Sequence, residues 1–171
     1  QGKLDLESPT SKWLPALGKI QVLEGFDADG RPRTRAPKRA VTLRHLLTHT
    51  SGFGYEFLNE AIPRYQAATG VPSALSGQRA MLKVPLMFDP GDRWEYGTSL
   101  DWVGQIVEAV SGQTLGQYFA QHIFAPLDIH DTAFVMTPSM RARKAKIHAR
   151  GPASELIPID LELPKPPEFE M

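Results

Sequence analysis

The sequence of 171 residues contains no cysteine and no excess of charge of either sign. Without cysteine the chain cannot form a disulfide, a thiolate metal site or a cysteine nucleophile. Nineteen basic residues balance nineteen acidic residues. This balance argues against general binding to nucleic acid or to a membrane surface, because both functions normally require a basic excess. No apolar run approaches the length of a membrane span, and no internal repeat is present.

No signal peptide opens the chain, and its first residue is Gln1 instead of methionine. We therefore expect the natural start to be missing, which leaves the localisation open between cytoplasm and periplasm. Hydrophobic residues make up 42% and charged residues 22% of the chain, as in an ordinary globular domain. Its length is enough for one domain with a core of its own.

The apolar pattern predicts helices through the middle of the chain. Thr42 is a suitable N-cap for a helix that carries Leu43, Leu46 and Leu47 on one face. The clearest apolar stripe predicts a helix over 99–110, ended by Ser111 and Gly112. Further helices are predicted over 56–68, over 73–83, and from Thr114 to Pro126.

The flanks of this helical region differ in texture. Residues 24–38 are polar and rich in glycine, proline and arginine, which predicts a surface hairpin or loop. Short strands are predicted over 132–136 and 144–148. From Pro158 onward a proline-rich tail follows, which excludes regular structure across its prolines, namely Pro164, Pro166 and Pro167.

The predicted fold class is therefore mostly α, an α+β fragment with short flanking strands. Residues 1–171 are interpreted as one incomplete domain. Within it, 42–127 form a helical subdomain and 128–171 hold strands, turns and the proline-rich tail.

A first candidate motif, LRHLLTHTSGFG, begins at Leu43. It describes a helix that runs into a glycine-containing turn, with His45 and His49 four residues apart. Two such histidines can share a helix face and bind zinc, but no glutamate follows His45 and no third ligand is evident. The favoured interpretation is that His49 and Thr50 hydrogen-bond the turn into shape, so no metal site is predicted.

A second candidate motif, DPGDRWEYGTSLD, begins at Asp89. A rigid turn delivers Tyr96 just before Gly97 and a helix capped by Thr98 or Ser99. A tyrosine can act as a general base only where a nearby cation lowers its normally high pKa. A single tyrosine in such a pattern is more often a core residue with a satisfied hydroxyl.

Taken together, the motifs VTLRHLLTHTSGFG, FDPGDRWEYGTS and VGQIVEAVSGQTLGQYFAQHIFAPLDIHDTAF resemble the serine β-lactamase-like superfamily, which also contains penicillin-binding proteins. The chain is most similar to class C β-lactamases and family VIII carboxylesterases. The resemblance runs in order over about 2–134. It implies the helical subdomain of the β-lactamase and transpeptidase fold.

The resemblance also implies a mechanism with three parts. A Ser-x-x-Lys motif supplies the nucleophile and a lysine, a Tyr-x-Asn motif supplies a catalytic tyrosine, and a late Lys-Thr-Gly or His-x-Gly strand lines the site. The tyrosine corresponds to Tyr96, and Trp94 and Thr98 are predicted to border the substrate. No cofactor is implied. The implied partner is a small-molecule ester or amide.

The chain departs from the family pattern at three points. No serine in it has a lysine three positions later, so the nucleophile motif is expected before Gln1. The late strand motif is absent and is expected after Met171. Thr98 replaces the usual asparagine and cannot donate two amide hydrogens, which favours the esterase branch over β-lactam recognition.

The leading hypothesis is that the chain is part of an active serine hydrolase and is inactive alone. Two other classes of function remain open. The chain is a catalytically inactive module that binds a ligand or partner, or it is a helical domain with chance similarity. Further expected partners are the missing segments of the longer protein, or a second copy of the chain. The basic runs 31–39 and 140–146 are interpreted as solvated loops.

Overall fold

The computed structural model describes residues 2–159, which contain two antiparallel β-hairpins and five α-helices besides short 3₁₀ and π-helical turns. The hairpins pair β1 with β2 and β3 with β4. In chain order the elements are β1 (Val22–Phe26), β2 (Pro32–Arg35), α1 (Leu43–Leu47), α2 (Ala61–Thr69), α3 (Ser99–Ser111), α4 (Leu115–Phe119), α5 (Pro138–Ala142), β3 (Ile147–Arg150) and β4 (Leu156–Ile159).

The first hairpin confirms the turn predicted between residues 24 and 38. Asp27 accepts hydrogen bonds from the backbone N–H groups of Asp29 at 3.0 Å and Arg31 at 2.8 Å, so its side chain closes the turn. Strand β1 also exchanges backbone hydrogen bonds with the segment around Leu86, including Leu23 N–H to Leu86 C=O at 2.8 Å. The hairpin is therefore attached to the chain segment that leads to Tyr96.

Helix α1 begins as predicted at the N-cap Thr42. The Thr42 hydroxyl accepts from the His45 N–H at 3.3 Å, and His45 Nδ1 accepts from the Thr42 N–H at 3.2 Å. This reciprocal pair satisfies two backbone donors at the helix start. The buried Leu43 and Leu46 of this helix face the core.

Helix α3 is the longest helix among residues 2–159 and matches the prediction within one residue. Trp102 and Ile106 are buried, and the Trp102 ring stacks on Phe53 with centroids 5.9 Å apart. Gly112 ends the helix with a φ of 71°, a left-handed conformation that glycine adopts without steric cost. The buried core cluster joins these residues to α1 and β1 and comprises Leu17, Val22, Val41, Leu43, Leu46, Phe53, Met81, Leu82, Leu86, Trp102 and Ile106.

Two of the predicted helices differ in extent from the observed ones. The helix predicted over 56–68 starts only at Ala61, because the Asn59 carboxamide accepts from the Ala61 N–H at 3.1 Å and holds the preceding residues in turns. The region 73–83 forms two short 3₁₀ segments instead of an α-helix. Gly77 interrupts them with a φ of 71°.

The strand predicted over 132–136 is wrong. These residues form bends, and Phe134 stacks on Phe119 with centroids 6.0 Å apart. The aromatic contact draws the segment onto α4, and no strand partner lies beside it among residues 2–159. The helix that starts at Thr114 continues through α4 into a π-helical turn, Ala120–Phe124.

The strand predicted over 144–148 exists, but as β3 it lies about three residues later. Pro158 lies within β4, opposite His148. The tail prolines lie outside the described residues. No helix within the described range is long and apolar enough to cross a membrane. The division at residue 127 stays a prediction.

Candidate active site around Tyr96

A buried carboxylate fixes the turn that leads to Tyr96. Asp89, 2% exposed, accepts two hydrogen bonds from the Arg35 guanidinium, each at 2.8 Å, and one from the Lys38 N–H at 2.8 Å. These donors hold the pKa of the Asp89 carboxyl well below its usual range. Arg39 adds hydrogen bonds to Pro90 C=O and to Asp92.

The prediction that the basic run 31–39 is a solvated loop holds in part, since each of its basic residues except Arg35 is exposed, but residues 32–35 form β2. Three of its basic residues bind the turn at 89–92, because a buried aspartate requires donors and a cation nearby. In the second run, Arg143 forms a two-pronged ion pair with Asp131, with both contacts at 2.6 Å. This pair is exposed, so that run is closer to the predicted solvated surface.

Backbone hydrogen bonds bring the two sequence motifs together. The N–H groups of Met87, Gly91 and Glu95 donate to carbonyl oxygens at 2.7, 2.7 and 2.9 Å. The acceptors belong to the turn after α1, and are Gly52, Thr50 and His49 respectively. Three backbone hydrogen bonds therefore tie the segment before Tyr96 to residues 49–52, the HTSG turn.

Gly97 allows the closest approach between these segments. A Cβ atom at this position would lie 2.3 Å from the carbonyl oxygen of Phe53 and 2.5 Å from the Cα of Gly54. Only glycine permits backbones to pack at this separation. This contact fixes the chain directly after Tyr96, and the hydrogen bond from Glu95 N–H to His49 C=O fixes the chain directly before it.

Tyr96 itself is held at the surface by aromatic rings. Its side chain is 45% exposed, and its ring centroid lies 4.8 Å from that of His49 and 5.3 Å from that of Tyr55. Trp94 is 65% exposed and meets His49 edge-on at 6.5 Å. Tyr96 therefore keeps an accessible face while two rings, those of His49 and Tyr55, contact it.

The loop that carries Tyr55 is tied to the same segment by Glu95. The Glu95 carboxylate accepts from the Asn59 carboxamide at 2.7 Å and from Arg93 at 3.1 Å. Gly54 leaves room for it, since a Cβ there would lie 2.6 Å from Glu95 Oε1. The side chain of Glu95 thus couples the positions of Tyr55 and Tyr96.

A cavity of about 320 Å³ extends from Tyr55 along α3. Burial, and secondly the negative charge of Asp101, raise the pKa of Tyr55 to about 12. Burial also raises the pKa of Asp101. Tyr55 is consequently a neutral phenol throughout the neutral range. The apolar part of the cavity lining includes Leu100, Leu115 and Phe134.

Thr98 and the histidines occupy positions that differ in part from those predicted. Thr98 is the N-cap residue of α3, but its side chain makes no capping hydrogen bond and is buried. The hydroxyl of Ser99 instead bonds that of Ser51 at 2.8 Å, which links α3 to the HTSG turn. His45 caps α1, and no cluster of metal-ligating side chains occurs within residues 2–159.

Several of these groups were missed by the sequence reasoning. Tyr55, Glu95 and Asp101 were not singled out, because the loop that joins Tyr55 to Tyr96 is formed by contacts between distant residues. One signal was available for Glu95, since Asp89, Glu95 and Tyr96 fall in one turn-flanked motif.

Comparison with known proteins places this arrangement in a family. The family model described as Beta-lactamase matches residues 1–164. The chain belongs to the β-lactamase family. Its membership confirms the predicted resemblance, and the fold of the described residues is a portion of the β-lactamase-like fold.

Among curated β-lactamase-family relatives, the acyltransferase mokF of Monascus pilosus is 42% identical over 148 residues, covering 85% of this chain and 36% of the relative. A lovastatin esterase of Penicillium rubens is 38% identical over 157 residues, covering 90% of this chain and 39% of the relative. The chain thus spans less than two fifths of the length of these relatives.

Solved structures of the β-lactamase fold agree with the curated relatives. Unliganded simvastatin synthase from Aspergillus terreus is 41% identical with a TM-score of 0.83, over 92% of this chain and 41% of that one. A penicillin-binding protein homologue from Pyrococcus abyssi has a TM-score of 0.60 at 22% identity, over 95% of this chain and 34% of that one, which shows the shared fold alone. A relative named as an esterase occurs among the matches, as the resemblance implied.

Proposed function

We propose that this chain is the tyrosine-bearing part of a serine enzyme that cleaves or transfers carboxylic esters through an acyl-serine intermediate. One observation carries the proposal. Relatives named as acyltransferases and as an esterase match the chain at 38–43% identity, and the matched region includes the exposed, rigidly held Tyr96. Acyl transfer to an alcohol was not predicted from the sequence, which pointed to hydrolysis.

In the proposed mechanism, Tyr96 takes the proton of the nucleophilic serine as the serine oxygen bonds to the ester carbonyl carbon. Collapse of the tetrahedral intermediate breaks the bond to the leaving alcohol, which receives the proton back from Tyr96. Water or an acceptor alcohol then repeats these steps in reverse and releases the acyl group. The serine and its lysine are expected in the part of the longer protein outside this chain.

The surroundings of Tyr96 support this assignment of roles. Tyr55 cannot serve as the base, because burial and the nearby Asp101 hold its pKa near 12. The Asp101 carboxyl lies beyond Tyr55 in the cavity and raises that pKa further. Tyr96 is the more exposed of the two rings, and its flanking backbone is fixed on both sides. A positioned base of this kind contributes roughly 10²–10⁴ in rate.

The cavity along α3 is the proposed place for part of the substrate. Its apolar wall suits an acyl chain or an alkyl ring, and its polar wall offers Asp101 and Gln105. Trp94, 65% exposed, is proposed to border the substrate on the other side of Tyr96. The buried Thr98 is proposed to support the backbone beside the substrate, since its side chain is only 5% exposed.

Trapping of the acyl-enzyme tests the proposal. The longer protein that contains this chain is incubated with p-nitrophenyl butyrate or with a fluorophosphonate, and the labelled residue is located by peptide mass spectrometry. We expect butyryl or phosphonyl adducts on a serine followed three positions later by lysine. Absence of both adducts and of ester turnover would show a catalytically inactive binding module instead.

A further inference from the structure

His49 adopts a backbone conformation that is uncommon for a residue other than glycine. Its φ is 54°, in the left-handed region, where a side chain incurs strain and only asparagine, aspartate and histidine are enriched. The residue lies directly after the C-cap of α1, and its carbonyl accepts the Glu95 N–H at 2.9 Å. The turn therefore holds the imidazole at a fixed place beside residues 94–96.

The imidazole contacts the two aromatic rings on either side of Glu95. Its centroid lies 4.8 Å from the Tyr96 ring at an interplanar angle of 54°, and 6.5 Å from the Trp94 ring at 69°. Tilted and edge-on arrangements at these separations are the favourable ones for aromatic pairs. His49 thus restrains Tyr96 both through the hydrogen bond that its carbonyl accepts from Glu95 N–H and through its ring.

The surroundings disfavour a charge on this imidazole. Its Nδ1 is buried and has no hydrogen-bond partner within residues 2–159, so a proton on this atom would be a buried donor without an acceptor. Burial accordingly lowers the pKa of His49. Tyr96 is the titratable side chain in ring contact with it, while the Glu95 carboxylate is already engaged by Asn59 and Arg93.

We propose that His49 is a positioning residue for Tyr96. The His49 ring acts as a neutral aromatic support that sets the direction of the Tyr96 hydroxyl. This inference rests on the proposed function of Tyr96. The alternative, in which an imidazolium at His49 supplies the positive charge that a tyrosine base requires, is disfavoured by the buried Nδ1 that has no acceptor among the described residues. A misplacement of about 1 Å can cost roughly 10²-fold in rate, so loss of the ring lowers kcat more than it changes KM.

The experiment compares His49→Asn and His49→Phe in the longer protein, with His148→Asn on the exposed strand β3 as the matched control. Asparagine tolerates the left-handed backbone but removes the ring, whereas phenylalanine keeps a ring that cannot titrate. Rates are divided by the number of active sites that a fluorophosphonate labels, so that misfolded protein does not lower them.

We expect His49→Asn to lower kcat per labelled site by about 10- to 100-fold with KM changed by less than about 3-fold. Phenylalanine is strained at this φ, so His49→Phe is expected to recover part of the loss, and the acid limb of its kcat/KM profile should match that of the wild type. His148→Asn should behave as the wild type.

Full kcat per labelled site in His49→Asn would overturn the inference. So would a His49→Phe variant that is as slow as His49→Asn and has lost its acid limb, since that result would assign His49 a titrating role. These outcomes are separate from the proposed function. If Tyr96→Phe keeps full activity, the proposed role of Tyr96 fails, whatever the His49 variants do.

Discussion

Gly97→Ala should damage both the fold and the site, because the new methyl group meets backbone on one side. Its Cβ would lie 2.3 Å from Phe53 C=O and 2.5 Å from Gly54 Cα, whereas ordinary van der Waals contact begins at 3.4 Å. The two segments must therefore separate by about 1 Å, which a flexible side chain would absorb but a hydrogen-bonded backbone does not.

The magnitude follows from this overlap. Overpacking of a close-packed interior costs roughly 1–3 kcal/mol. We expect a value near the upper end, because all three of the nearest atoms belong to the backbone. A loss of about 3 kcal/mol lowers the ratio of folded to unfolded protein by roughly two orders of magnitude. The same displacement moves Tyr96, so kcat/KM should fall as well.

The assay is urea denaturation of the longer protein, followed by tryptophan fluorescence, together with ester turnover. Gly116→Ala is the matched control: it lies within α4, and its Cβ would meet only Phe134 at 3.4 Å and Thr114 at 4.0 Å. A glycine-to-alanine change within a helix is expected to stabilise by roughly 0.5–1 kcal/mol. Equal unfolding midpoints for Gly97→Ala and the wild type would refute the packing argument.

Three further outcomes are expected. Asp89→Asn should lower the free energy of unfolding at pH 7, and its difference in unfolding free energy from the wild type should shrink in urea titrations below about pH 4, because a carboxylate with a lowered pKa stabilises the fold fully only above its unfolded pKa. A pH-independent difference would contradict the ion pair with Arg35. Tyr55→Phe should leave both limbs of the kcat/KM profile between pH 5 and pH 10 in place, since the pKa of Tyr55 is about 12; loss of the alkaline limb would show that Tyr55 titrates in the reaction. The isolated chain should not hydrolyse p-nitrophenyl butyrate and should self-associate in sedimentation experiments, because apolar side chains such as Ile147 and Leu156 are exposed; labelling of one of its own serines by fluorophosphonate would overturn the first expectation, and a monomer with a sharp, reversible melt the second.

Local signals predicted the elements that depend on neighbours in sequence. The N-cap at Thr42, the turn closed by Asp27 and the apolar stripe of α3 each involve residues within a few positions of one another. The interactions that form these features lie within the pattern itself, and the structure contains all three. The α-helix predicted over 73–83 failed because Gly77 adopts a left-handed conformation, which periodicity alone does not reveal.

Contacts between distant segments could not be predicted in this way. The ion pair of Arg35 with Asp89 joins residues 54 positions apart, and the run that contains Arg35 has the composition of a solvated loop. The rings of His49 and Tyr55 lie against Tyr96 because backbone hydrogen bonds join the HTSG turn to the segment that contains the turn at 89–92. The place of Tyr96 was therefore predictable from its motif, but its surroundings were not.

The rate of enzyme acylation in Tyr96→Phe tests the central claim most directly. The longer protein is mixed with p-nitrophenyl butyrate in a stopped-flow instrument, and the burst of nitrophenolate is measured. Tyr65→Phe serves as the control, since this tyrosine lies in α2. Tyr96→Phe is predicted to acylate roughly 10²–10⁴ times more slowly while it remains folded. An acylation rate within about 3-fold of the wild type, well short of that factor, would contradict the assignment of Tyr96 as the general base.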